Sequence, residues 1–117
     1  MTAYSHTCAV CDLQLKLIDA SHIVPVSEDY STDEMKNGIA LCALHHRAYD
    51  KSLITFNERY QVIHNQERMQ NLREIKHDSG LEKFIGDLKP IINLPPAKND
   101  RPPIDYIKRA NQIRGWK

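Results

Sequence analysis

Three residues in the first fifty, His22, Asn37 and His46, stand 15 and then 9 positions apart, and two of them are imidazoles. A neutral imidazole takes a proton from water near pH 7 or offers a lone pair to a divalent ion, so such a pair can supply both halves of a hydrolytic site. A second group is Cys8-x-x-Cys11 with Cys42-x-x-His45, which uses all three cysteines of the chain. These are four nitrogen and sulfur donors of the kind structural zinc takes. An odd cysteine count would leave a thiol over in a disulfide framework, so a reducing compartment and a metal fit better.

The elements that must position these side chains follow from local pattern. Cys8–Cys11 has the character of a tight turn. Leu13, Leu15 and Leu17 alternate with Gln14 and Lys16, which predicts a half-buried strand. His22 stays extended because the chain runs into Pro25. Residues 27–36 are polar and aperiodic and read as a loop. Asn37-Gly38 is a turn signal, and Ile39-Ala40-Leu41 is a short strand that can return beside the first. From Cys42 a helix of two to three turns is expected, with Asp50 one turn beyond His46.

Downstream, Ser52–Phe56 and Tyr60–His64 are β-rich runs flanking Asn57-Glu58-Arg59, a predicted hairpin. Met69, Leu72 and Ile75 recur at helical spacing after Asn65 as N-cap, with Gly80 past the end. Leu81, Phe84, Ile85 and Leu88 mark a further helical segment, weakened by Gly86 and stopped by Pro90. Leu94 to Pro103 is an extended proline-rich link, and a last helix from about Pro103 should turn Ile104, Ile107 and Ala110 inward.

The segments Ser21-His22-Ile23-Val24-Pro25, Asn37-Gly38 and Leu44-His45-His46-Arg47-Ala48-Tyr49-Asp50 resemble those of the HNH endonuclease family, in particular its restriction-type members. The likeness covers roughly Cys8 to Ile63, and the proline-rich link into a basic helix is also similar to those members. It implies an α+β fold with a ββα-metal (His-Me finger) core, a zinc-stapled lead-in, an additional hairpin and C-terminal helices. As one unit of residues 1–117, the ββα core would span about 8–51, the hairpin about 52–64 and the helical, Pro-linked extension 65–117.

The function so implied is metal-dependent hydrolysis of DNA phosphodiester bonds in a restriction or DNA-defence system. His22 would be the general base and His46 a ligand of a catalytic Mg²⁺ or Mn²⁺. Asn37 would brace the loop and orient the base. In family members that resemble this arrangement, two such pairs staple the strand entry to the helix start and the last ligand is commonly Cys, so Cys8, Cys11, Cys42 and, as a substitution zinc accepts, His45 would hold structural Zn²⁺. The sequence departs from the family where many members carry Asp or His just before the base and this chain carries Ser21. Asp19, two residues earlier on the strand, or Asp50, on the helix face of His46, can supply the missing carboxylate, with Asp50 preferred.

Composition narrows the alternatives. At 117 residues one core is expected, and no apolar run approaches the ~20 residues a membrane helix needs. The N-terminus lacks signal-peptide character, so a cytoplasmic location is expected. A net charge of +1 excludes a strongly basic coat, yet residues 98–117 hold six basic and two acidic side chains, a polarity suited to the DNA backbone. Backbone contacts carry little base information, so a fused or separate recognition domain should choose the target, and the opening Tyr4–Cys8 reads as the continuation of a longer protein. A second copy of the chain is a further partner the reading allows. Two rivals remain: a zinc-stapled nucleic-acid binding module without catalysis, and a nuclease that cuts RNA.

Overall fold

A computed structural model describes residues 2–25 and 37–116. The loop expected at 27–36 lies outside the described residues. Strand β1 (Ile18–His22) pairs antiparallel with β2 (Gly38–Cys42), in a register that sets Ile18 opposite Cys42 and His22 opposite Gly38. Helix α1 (Ala43–Asp50) follows β2 directly, so strand, strand and helix form one ββα unit. Ile23, Ile39 and Leu41 are fully buried in the core. Each such side chain stabilises the fold by about 1.5–3 kcal/mol.

The hairpin forms as expected, with β3 (Ile54–Phe56) antiparallel to β4 (Val62–His64). Its turn is fastened by Asn57, whose side-chain oxygen accepts from the N–H groups of Arg59 and Gln61 at 2.9 and 3.0 Å. Helix α2 (Gln66–Glu74) begins at Asn65, whose Oδ1 accepts from the Arg68 N–H at 3.1 Å. It ends at Glu74, short of the Gly80 boundary, and α3 (Leu81–Gly86) starts after Gly80 instead, with that glycine left-handed at φ 84°. The proline-rich link is extended except for one 3-10 turn at Lys98–Asp100, and α4 (Ile104–Ile113) follows Pro103.

Two expectations fail. The strand predicted over Leu13–Leu17 is an irregular turn, and β1 begins only at Ile18. Asp12, Leu15 and Lys16 all have positive φ, which no strand tolerates, and Leu15 is 74% exposed. The alternation of leucines therefore records a loop folding back: the Cys8 N–H donates to the Leu13 carbonyl at 2.8 Å, and the Leu17 N–H to that of Gln14 at 3.1 Å. In α4, Ile107 and Ala110 are buried as expected, but Ile104 faces solvent.

The C-terminal half is tied to the first half at several places. Beside the cysteine turn, the Lys89 and Asn93 N–H groups each donate at 2.8 Å, to the carbonyls of Val10 and Ala9. The Asn93 amide also donates to the Cys8 carbonyl at 3.2 Å. Beside the hairpin, the Asn111 amide on α4 donates to the Phe56 carbonyl at 3.2 Å, and the Tyr60 hydroxyl to the Pro102 carbonyl at 2.8 Å.

Candidate active site and metal centre

Successive residues of a helix point about 100° apart, so adjacent His45 and His46 on α1 cannot face the same site. His45 turns inward and is buried, while His46 turns toward an open cleft. One helix thereby serves two centres.

The inward centre gathers Cys8, Cys11, Cys42 and His45, whose candidate donor atoms all lie within 4.8 Å of one another. His45 Nδ1 sits 3.2 Å from Cys42 Sγ and 3.8 Å from Cys8 Sγ. A tetrahedron with metal–sulfur bonds of ~2.3 Å has edges of about 3.8 Å, so these spacings suit a four-coordinate ion. Burial works to raise the Cys8 thiol, but hydrogen bonds from the His45 ring, from the backbone at Cys42 and Val10, and from Cys11 outweigh it and bring it down to about 6. Burial pushes Cys11 up to about 12 and raises Cys42. A lowered thiol at Cys8 beside three further nitrogen and sulfur donors suits the capture of a cation. His45 Nε2, buried and without a hydrogen-bond partner among the described residues, belongs to a ring tilted against Phe84 at 5.4 Å between centroids.

The outward centre is a cleft of about 560 Å³ lined by Ala20, His22, Pro25, His46, Asp50, Ser52, Ile113 and Arg114. His22 comes from the last position of β1, where Ala20 and His22 share a face. His46 and Asp50 come from consecutive turns of α1, with His46 Nε2 3.3 Å from Asp50 Oδ2. On the other edge of the ring, His46 Nδ1 lies 2.9 Å from Asp19 Oδ2. Both carboxylates considered from sequence therefore reach His46, on opposite nitrogens. Asp50 lines the cleft with His22, and Asp19 approaches from outside it. Cis ligands of an octahedral ion with bonds of ~2.1 Å lie about 3 Å apart, a spacing His46 Nε2 and Asp50 Oδ2 nearly match. Ser21 is 1% exposed, and its buried hydroxyl has no hydrogen-bond partner among the described residues, neither carboxylate included.

Asn37 is fully buried just before β2. Its Oδ1 accepts from the Val24 N–H at 2.9 Å, its Nδ2 donates to the Val24 carbonyl at 3.3 Å, and its own carbonyl accepts from the Ile23 N–H at 2.8 Å. Three hydrogen bonds thus fasten the two residues that follow His22.

Arg114, at the C-terminal end of α4, was counted from sequence among the basic residues of the tail. Its side chain is only 6% exposed. Nη1 donates to the Ile23 carbonyl at 2.6 Å and to the Tyr49 hydroxyl at 3.3 Å, Nη2 donates to the His22 carbonyl at 3.2 Å, and Asp50 Oδ1 lies 3.5 Å away. The guanidinium carbon stands 4.1 Å from the Tyr49 ring centroid. Composition alone conceals this residue, but the spacing of Ile107, Ala110 and Arg114 puts it on the buried stripe of α4. Other tail cations turn to the protein as well: Arg101 Nε donates to the Pro95 carbonyl at 2.8 Å, and Lys108 pairs with Glu58 at 3.8 Å.

Residues 8–57 match the family model described as HNH endonuclease. Among solved structures, the chain is similar to a modification-dependent TagI restriction endonuclease, with a TM-score of 0.65 and 15% identity, over 96% of this chain and 34% of that one. At that identity the likeness concerns the fold, and the chain spans about a third of its neighbour's length. No curated protein gives a significant match. The ββα unit, with its two candidate centres on a shared helix, falls within residues 8–57, the segment that matches the HNH endonuclease model.

Proposed function

We propose that this domain hydrolyses DNA phosphodiester bonds with the help of a divalent cation, as the cutting module of a restriction or DNA-defence system in the cytoplasm. The observation that carries the reading is the convergence of His22, His46 and Asp50 on one cleft. His22 takes the proton from the attacking water, its ring presented at the strand end that Asn37 fastens. His46 and Asp50 would hold Mg²⁺ or Mn²⁺, and Asp19, accepting from His46 Nδ1–H, would fix the ring so that Nε2 faces the ion. That ion would act as a Lewis acid on the scissile phosphate and the leaving 3′ oxygen, so products should carry 5′ phosphates.

The four-donor cluster would hold Zn²⁺ as a structural ion. A ββα unit gripping backbone reads few bases, so the choice of target would belong to a recognition domain outside these residues.

The test is nicking of supercoiled plasmid by wild type and His22→Ala with Mg²⁺, Mn²⁺ or EDTA, with zinc counted on the same samples. Metal-dependent nicking that disappears in His22→Ala, while about one zinc per chain remains, is the expected result. Wild type that holds zinc and binds DNA but never cuts would instead make this a binding module. A matched RNA substrate in parallel separates the two nucleic acids.

A further inference from the structure

We infer that Arg114 is a positioning residue for this hydrolysis, locking the strand end that carries His22 to the helix face that carries Asp50. The inference rests on the functional reading above and adds to it a residue from outside the family-matched segment. Arg114 is delivered by α4, and its own carbonyl accepts from the Ser52 hydroxyl at 2.9 Å, which anchors the helix end at the cleft.

The contacts define what the guanidinium does. Its two terminal nitrogens donate to three acceptors, the carbonyls of His22 and Ile23 and the Tyr49 hydroxyl, and Asp50 Oδ1 lies at ion-pair distance. Those donors are spent on protein groups, so the terminal nitrogens hold the site together rather than grip a substrate phosphate. Asp50 is half exposed and would otherwise sample several rotamers. Arg114 on Oδ1 leaves Oδ2 turned toward His46 at 3.3 Å. The same guanidinium holds the carbonyl of His22 itself, fixing the imidazole relative to that carboxylate. Lysine cannot do this, since a single ammonium lacks the planar fork that spans both elements.

The experiment compares wild type, Arg114→Met, Arg114→Lys and Asn111→Ala in the full chain. Mn²⁺ affinity is measured without DNA by electron paramagnetic resonance on zinc-loaded protein, beside plasmid nicking and thermal melting. Arg114→Met should keep its zinc, bind Mn²⁺ about 10-fold more weakly and cut about 100-fold more slowly, the range seen when a supporting partner or a geometry near 1 Å is lost. Arg114→Lys should fall between it and wild type, and it decides on the same readouts if the methionine variant does not fold. Asn111→Ala loosens the same helix from the Phe56 carbonyl without touching the guanidinium, and should lower the melting temperature while Mn²⁺ affinity holds.

Arginine variants equal to a wild type that cuts, or an Asn111→Ala that weakens Mn²⁺ as much, would overturn the inference and leave the functional reading standing. A wild type that neither binds Mn²⁺ nor cuts would overturn both.

Discussion

Replacing Cys8 by serine should cost the domain its zinc and much of its stability while sparing its chemistry. Cys8 is fully buried and contributes one of four donors gathered within 4.8 Å. A hydroxyl there is a poor zinc ligand, so the ion that would join Cys8 and Cys11 to Cys42 and His45 is lost. Positions 8 and 42 are 34 residues apart, and treating the ion as a cross-link, closing a loop of that length in the unfolded chain accounts for about 4 kcal/mol. That is a large part of the ~5–15 kcal/mol that holds a domain of this size together. At about 4 °C per kcal/mol, the melting temperature should fall by about 15 °C. The assay is thermal melting followed by circular dichroism, with zinc counted, and plasmid nicking well below the transition. Since Cys8 does not line the cleft of His22 and His46, the folded fraction should still cut. A zinc-free Cys8→Ser that melts within about 3 °C of wild type would refute the cross-link argument. A folded, zinc-free variant that cannot cut would refute the separation of the two centres.

Asn37→Ala removes the acceptor on the Val24 N–H and the donor to the Val24 carbonyl in a buried place, which should cost about 1–3 kcal/mol. Because those bonds fasten the chain just past His22, the nicking rate should fall more than Mn²⁺ affinity; a lowered melting temperature with an unchanged rate would make Asn37 purely structural. Asp12 is held below the ordinary carboxylate range by the Asn93 amide and then by Lys89. A depressed carboxyl stabilises the fold above its unfolded pKa and loses that effect as pH falls through the folded value. Asp12→Asn should therefore be slightly less stable than wild type at pH 7, by under ~1 kcal/mol for so exposed a pair, and the two should converge below pH ~4. Urea titrations at several pH values check this, and a gap that persists in acid would point to lost packing instead.

The parts of the fold legible in sequence are those decided locally. The hairpin follows from β-rich runs around Asn57, and α2 from Asn65, whose side chain caps the helix in the way its type predicts. The ββα unit follows from a motif in which His22, Asn37 and His46 keep their spacing. Leu13–Leu17 misled because alternation reports a period and says nothing about φ, and the left-handed residues at 12, 15 and 16 belong to a chain bent around a four-donor cluster. Asp19 and Asp50 were both placed near His46, yet which nitrogen each would face depends on the ring's orientation, a tertiary fact. Arg114 was hidden for the opposite reason. A charge count places it with the wet tail, while its helical phase places it in the interior.

These contacts change what should be regarded as the functional unit. A ββα segment of fifty residues has too little interior to hold a catalytic geometry alone, and small domains make up the deficit with metals or added elements. A four-donor cluster that could hold a metal and a set of added elements are both present here, at opposite ends of α1. The four-donor cluster fixes the start of the helix through Cys42 and His45, and residues 89–93 brace that cluster from behind. Arg114 fixes the far end through Tyr49 and Asp50 and extends the hold to the strand of His22. His46 lies between the two anchors on a helix of only eight residues. On the proposed reading, the residues beyond 57 would belong to the site's architecture as much as the motif does, although they lie outside the segment that matches the family model.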